Sequence, residues 1–185
     1  MIGPIERMRR ARAVRRQLEE QRDALYQLAY AWCQDPYLAD DLVQQTAAKA
    51  LQNAAQLRCE AHARAWLCRI LSNCWHDHLR RGRETVDVAT VVCIDHHTPE
   101  HEAEREAVVR RVRAAMRALS PEHRQVLSLV DLQGCSYAEV ASILEIPVGT
   151  VMSRLCRARR ALKAQLDREA ARPAVRPPAR IRRIQ

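Results

Sequence analysis

SYAEVASILEIPVGTVMSRLCRARRAL, residues Ser136 to Leu162, decides how this chain is read. Ser136 stands three residues before Glu139 and ahead of an apolar run, the spacing of a capping box, so a helix is expected to start there. Val140, Ala141, Ile143 and Leu144 give that short helix a buried side. Glu145-Ile146-Pro147 ends it, because proline disfavours a helical residue before it, and a second helix can restart near Pro147. At about 100° per residue, Val151, Leu155, Ala158 and Leu162 share one arc, while Ser153, Cys156, Arg157 and Arg160 lie opposite. Thr150 and Arg154 flank that free face. Two helices across a tight turn, the second basic and free on one side, fit the major groove of duplex DNA. Guanidiniums there can fork onto guanine edges or pair with phosphates. A solvated basic helix in an ordinary bundle is the alternative.

The rest of the chain is compatible with an all-α protein. It has 185 residues, a formal net charge of +9, 4 glycines and no phenylalanine. The positive charge favours a polyanionic partner, although nearly all of it is arginine, with lysine only at Lys49 and Lys163. No apolar run approaches the roughly 20 residues of a membrane span, and Met1 to Arg16 lacks the apolar core of a signal peptide. A cytoplasmic location is therefore expected.

Seven cysteines do not form a Cys-x-x-Cys pattern, and Cys33, Cys68, Cys74 and Cys135 sit in or beside apolar stretches, as reduced core residues do. Cys74, His76 and His78 alternate along a helix and so point apart rather than converge on a metal. Cys93, His96, His97 and His101 gather in a loop-like segment with more freedom to coordinate. With no paired carboxylates, phosphate loop or Ser/His/Asp arrangement, no enzyme, cofactor or metal site is expected.

Periodicity divides the chain into parts. Residues 1–17 form a basic N-terminal segment without apolar repeat, and a helix from about Leu18 to Cys33 buries Leu18, Leu25, Leu28, Ala29 and Trp32. Asp35-Pro36 restarts a helix that carries Leu38, Leu42, Val43, Thr46, Ala50 and Leu51 inward and leaves Asp40, Asp41, Gln44 and Gln45 outside. After a polar loop from about Asn53 to Ala61, a helix from about His62 to Arg81 packs through Leu67, Ile70, Leu71 and Cys74, with Arg69, Asn73, His76 and Arg80 outward. These three helices make a first domain, residues 18–82. Trp66 and Trp75 face opposite ways and cannot form one stacking platform, and Trp66 is the one expected in the core. Residues 83–98, containing VDVATVVCIDHH, are strand-like without a partner strand, which an extended linker explains. A second domain, residues 99–168, begins with a helix carrying Val108, Val109, Val112, Ala115, Met116 and Leu119 at helical spacing. Ser120-Pro121-Glu122 starts a further helix, Val126, Leu127, Leu129 and Val130 bury its inner face, Gly134 stops it, and the helix-turn-helix follows. The Pro/Arg-rich tail, residues 169–185, cannot build a core and is expected to be disordered.

Three separated motifs then resemble one family. They are DDLVQQTAAKAL at Asp40 to Leu51, RAWLCRILSNCWHDHLRR at Arg64 to Arg81, and ALSPEHRQVLSLVDLQGCSYAEVASILEIPVGTVMSRLCRARRAL at Ala118 to Leu162. In order and spacing they are similar to the extracytoplasmic-function (ECF) sigma factors of bacterial RNA polymerase, across roughly Leu18 to Leu166. The resemblance implies two small helical domains joined by an extended linker, in a factor that binds core polymerase and directs promoter-specific initiation.

It also implies roles for particular residues. Asp40, Asp41, Gln44 and Gln45 would meet the clamp of the largest subunit, and Gln45 departs from the acidic residue usual there. Arg58, His62, Arg69, Asn73, Arg80 and Arg81 would handle the melted −10 strand, Asn73 by touching a base edge. Thr150, Ser153, Arg154, Arg157 and Arg160 would read the −35 duplex. Met152 and Cys156 stand where many relatives carry larger or charged groups, and Glu145 replaces the glycine common in the turn, at roughly 1 kcal/mol. The implied partners are core RNA polymerase (clamp and flap), promoter DNA and an anti-sigma factor. Two other readings compete: a stand-alone regulator binding an operator as a dimer, and a Cys/His metal or redox sensor.

Overall fold

The structure, a computed structural model, describes residues 4–57, 59–84 and 100–171. Among them are seven α-helices and no strand. Residues 83 and 84 of the expected linker continue the third long helix, Ala63–Glu84, and residues 169–171 of the expected tail continue the last, Val148–Ala171; the rest of both, with Arg58, lies outside the described residues.

Helix α1 spans Pro4–Cys33, so the first seventeen residues, read from sequence as a separate basic segment, belong largely to it. Proline is tolerated in a first helical turn, and Glu6 pairs with Arg10 at 2.9 Å one turn on. Tertiary contacts supply what periodicity did not show. Val14 is fully buried, the Arg10 guanidinium donates to the Ala55 carbonyl at 2.7 Å, and Arg16 pairs with Glu60. These bonds strap the helix start over the segment that follows α2.

The next boundaries follow local chemistry. Asp35 caps α2 (Pro36–Gln52), its carboxylate accepting from the Tyr37 and Leu38 amides at 2.8 and 3.1 Å. Ala39, Leu42, Thr46 and Ala50 are buried, and the Thr46 hydroxyl donates back to the Leu42 carbonyl at 2.7 Å. Leu51, expected inside, is exposed because it falls past the arc that α3 covers. Two short 3₁₀ turns, Ala54–Gln56 and Glu60–His62, lead into α3 (Ala63–Glu84). Leu67, Cys68, Leu71, Cys74 and Trp75 form its buried side, and Ile70 is half-buried. Trp75, not Trp66, is the deeper tryptophan; it stacks on His78 at 5.7 Å, while Trp66 lies half-buried against the core edge.

Helix α4 (Glu100–Arg117) buries Ala115 and Met116 near its end, with Leu119 buried just beyond it. Val108, Val109 and Val112, in the middle of α4, keep helical spacing but stay exposed; Val112 borders a shallow groove with Tyr26 and Tyr30 of α1. Ser120 caps α5 (Pro121–Leu127), which widens into a π-helical turn at Ser128–Leu132 closed by the Gln133 amide on the Ser128 carbonyl at 3.1 Å. Gly134, at φ +64°, ends it in the left-handed region that glycine adopts without a Cβ penalty. Then come α6 (Tyr137–Leu144) and α7 (Val148–Ala171).

The two helical units, α1–α3 and α4–α7, share a continuous apolar core. At their boundary the Trp32 indole N–H donates to the Ser128 hydroxyl at 2.7 Å, both fully buried. The Gln133 amide donates to the Ala24 carbonyl at 3.2 Å, and the Gln125 amide to the Ser72 hydroxyl at 3.4 Å. Buried polar groups are costly unless paired, so these bonds set the register of one unit on the other.

Candidate nucleic-acid interface

The helix-turn-helix forms as its local sequence demands. The Ser136 hydroxyl accepts from the Glu139 amide at 3.3 Å, and the Ser136 amide donates to the Glu139 carboxylate at 2.7 Å. The Ser136 amide first, and second its hydroxyl, which donates to the same carboxylate at 2.8 Å, hold the Glu139 carboxyl below its ordinary range. Glu145 closes α6 in the left-handed region, at φ 54° and ψ 43°. Val151, Leu155 and Ala158 of α7 are buried, while Met152, Ser153, Cys156, Arg157 and Arg160 are exposed and Thr150 and Arg154 sit at the margin. The free face read from the sequence is therefore free. Ser153 spends its proton on the Thr150 carbonyl at 3.1 Å and retains acceptor capacity toward a base or amide. Arg159, between the two outward arginines, has another task. Its guanidinium forks onto Asp131 of the π turn at 2.6 and 3.2 Å, bracing α7 against α5.

A second surface lies on the first unit. Where the end of α2 crosses α3, a polar cleft of about 530 Å³ is lined by Lys49, Asn53, Gln56, Ile70, Asn73, His76, Asp77 and Arg80. Asp77 organises its floor, accepting from Lys49 at 3.1 Å and Arg80 at 2.8 Å; the Lys49 bond is the main cause that holds its carboxyl below the ordinary range. Asn53 donates to the Lys49 carbonyl at 2.8 Å and accepts from Gln56 at 3.1 Å, presenting amides along one wall. Amides and cations around a strand-sized cleft suit unstacked bases and their phosphates.

Of the residues the sequence proposed for a melted strand, the structure brings Asn73 and Arg80 into this cleft. Arg81 lies at its rim, donating to the Asp77 carbonyl at 3.2 Å. His62 is exposed at the start of α3, and Arg69 is paired with Glu145 of the second unit, so neither lines the cleft. Arg58 is outside the described residues. Sequence reasoning missed Lys49, Asn53 and Gln56. Lys49 and Asn53 share one helical edge, but nothing local says that this edge overhangs α3.

On the outer side of α2, Asp40, Asp41 and Gln44 are exposed, and half-buried Gln45 donates to the Asp41 carboxylate at 2.7 Å. Among the described residues no group of three His, Cys, Asp or Glu side chains could hold a metal. Cys74 is buried beside Thr46 whereas His76 faces the second unit, so that alternating trio does not converge. Cys93, His96 and His97, and the His101 side chain, lie outside the described residues. No described helix is long and apolar enough to cross a membrane.

A helix-turn-helix with a free basic face, on a unit separate from a polar strand-sized cleft, gives a helical protein with two candidate nucleic-acid surfaces. Comparison with known proteins narrows that class. Residues 18–85 match the family described as Sigma-70 region 2, and residues 109–162 match Sigma-70, region 4. The chain is 32% identical to the probable RNA polymerase sigma-C factor of Mycobacterium bovis over 143 residues, 74% of this chain and 75% of that one. It is 36% identical to the ECF RNA polymerase sigma factor EcfG of Rhodopseudomonas palustris, over 69% of this chain and 71% of the other. Among solved structures, the sigma factor RpoE in complex with the anti-sigma factor NepR, from Bartonella quintana, superposes with a TM-score of 0.67 at 26% identity, covering 83% of this chain and 96% of that one. The chain belongs to the ECF sigma factors, and it acts in promoter-directed initiation of transcription.

Proposed function

We propose a division of labour within this sigma factor. The outer face of α2, with Asp40, Asp41, Gln44 and Gln45, docks on the clamp of core RNA polymerase, and the second unit reaches the flap. Asn73 and Arg80, with Lys49, Asn53 and Gln56 as added wall, take the opened −10 strand, while His62, Arg69, Arg81 and Arg58 serve its approach. Thr150, Ser153, Arg154, Arg157 and Arg160 read the −35 duplex. The functional units are residues 18–82 and 99–168. The observation that carries this reading is the pairing of two surfaces of different kind on one chain, a free basic helix face and a separate amide-rich cleft.

An anti-sigma factor is the expected inhibitor, supported by the NepR complex of the similar RpoE. Because sigma factors work beside the polymerase, the cytoplasm is the expected compartment. Run-off transcription with core polymerase over randomised promoters tests the whole assignment. It is expected to return a promoter with two conserved blocks, one sensitive to α7 and one to the α3 cleft. A chain that neither binds core nor starts transcription at any promoter refutes it.

A further inference from the structure

The first turns of α1 carry charge that the fold does not use. Between Pro4 and Gln17 stand six arginines and one glutamate, which is more than half of the chain's formal net charge of +9. This stretch precedes residue 18, where the match to Sigma-70 region 2 begins, so it adds to what the family model describes. Arg7, Arg9, Arg12, Arg15 and Arg16 are all exposed. Among the described residues Arg7, Arg12 and Arg15 have no hydrogen-bond or ion-pair partner, and Arg9 has only Glu6, at 4.0 Å.

Local helix chemistry does not favour this placement. The N-terminus is the positive end of the helix dipole, where a cation such as Arg7 is unfavourable, and like charges four residues apart, as at Arg12 and Arg16, repel. Glu6 is the acidic group of the first turn. The helix is nevertheless held: Val14 is fully buried, Arg10 donates to the Ala55 carbonyl at 2.7 Å, and Arg16 pairs with Glu60. Charge set against local stability on an anchored element is expected where the element acts on something outside the fold.

The anchors fix what lies beside it. Gln56, the neighbour of Ala55, lines the polar cleft between α2 and α3. Arg9, Arg12 and Arg16 recur at i, i+3 and i+7 and share one edge of α1. Because Arg16 meets Glu60, that edge runs along the segment that leads from the cleft wall to α3. Guanidiniums fork onto phosphate oxygens, and such contacts position a nucleic acid without reading its sequence.

We propose that the start of α1 is a phosphate-binding strap: Arg9 and Arg12 hold the sugar-phosphate backbone of the promoter strand beside the −10 cleft, whatever its sequence. The proposal rests on the cleft being the site of the opened −10 strand.

The test is promoter binding by holoenzyme reconstituted with the full-length chain, followed from about 50 to 200 mM salt. Wild type is compared with the double variants Arg9→Gln/Arg12→Gln and Arg9→Lys/Arg12→Lys; glutamine and lysine are both good helix formers, and only lysine keeps the charge. The glutamine pair is expected to flatten the slope of log affinity against log salt by about 0.7 to 0.9 per arginine, equally on promoters that differ at −10 or −35. The lysine pair should keep the wild-type slope. Neutral methylphosphonates, placed singly at phosphates flanking the −10 element, should weaken binding by wild type at one or more positions where the glutamine pair is insensitive.

An unchanged slope in the glutamine pair overturns the proposal, including the case in which that variant instead loses core binding in the absence of DNA, since the partner is then an acidic face of the polymerase. A lysine pair as flat as the glutamine pair overturns it because charge is then not what acts. A flattened slope with no methylphosphonate that separates the variants also overturns it, by placing the contact away from the −10 strand. Asn73→Ala keeps the two readings apart. If that change leaves −10 use untouched while the slope still falls in the glutamine pair, the cleft assignment fails and the phosphate contact stands; an active Asn73→Ala beside an unchanged slope refutes the strap alone.

Discussion

Arg157 and Arg159 offer a charge-matched test of which arginines on α7 read DNA. Both are exposed and two residues apart, yet α7 turns them to different neighbours. Arg157 lies on the free face with no intramolecular partner among the described residues, whereas Arg159 is forked onto Asp131 at 2.6 and 3.2 Å. Replacing Arg157 by alanine removes a potential bidentate contact to a guanine edge, about 1–3 kcal/mol, or about 5- to 150-fold at the cognate −35 element. Stability should move by less than about 0.5 kcal/mol, since nothing in the fold leans on that side chain. Arg159→Ala removes the same charge but breaks an exposed intramolecular pair, so it should lower stability slightly. Its effect on promoter choice should be small and uniform. The assay is run-off transcription by reconstituted holoenzyme on promoters with matched and singly substituted −35 elements, beside thermal melts of each variant. Equal loss of −35 discrimination in both variants refutes the assignment, as does a larger melting shift for Arg157→Ala than for Arg159→Ala. A loss that is uniform across promoters, with a salt slope smaller by about 0.9, moves Arg157 from base to phosphate.

Asp41→Ala should weaken core binding without altering promoter preference, because among the described residues its exposed carboxylate bonds only Gln45 on its own helix; a changed −10 or −35 preference in the same titration contradicts that. Asn73→Ala should reduce use of promoters that differ at the melted element while leaving −35 preference intact, and a purely −35 effect sinks the cleft assignment. Leu155→Ala deletes a core side chain 2% exposed and should cost about 2–5 kcal/mol in urea denaturation; a loss under about 1 kcal/mol would mean that α7 does not pack as described. Because the Glu139 carboxyl is held below its ordinary value of 4.5, it stabilises the fold above that pH and loses the contribution as pH falls through its lowered folded value. The stability gap between the wild type and Glu139→Gln should accordingly be flat near neutrality and shrink below about pH 4.5, and a gap that persists into acid contradicts the capping role.

Local rules made much of the fold legible. Caps at Asp35, Ser120 and Ser136, and the glycine stop at Gly134, lie within a few residues of the groups they satisfy. The buried arc of α7 and its free face follow from a period of about 3.6 residues. Elsewhere the periodicity misled. Val108, Val109 and Val112 carry an apolar repeat that the described residues leave largely exposed, and the start of α1 lacks a clear repeat yet is helical, with Arg10 and Arg16 held at Ala55 and Glu60. Trp75 outranked Trp66 in burial through the approach of its neighbours, which spacing along one helix does not report.

The sequence by itself determined most of the helices, the helix-turn-helix, the exposed side of α7, and the family, because each depends on short-range chemistry or on ordered motifs. Tertiary structure alone decided the cleft and the packing of one unit on the other. Lys49 faces Asp77 and Trp32 meets Ser128 although they stand 28 and 96 positions apart, and only packing brings such distant groups within a hydrogen bond. It also sorted chemically equal arginines: Arg69 to Glu145, Arg159 to Asp131, and Arg157 to whatever lies outside the protein. A side chain's partner is set by what the fold places within a few ångströms of it, and that distance is not written along the chain.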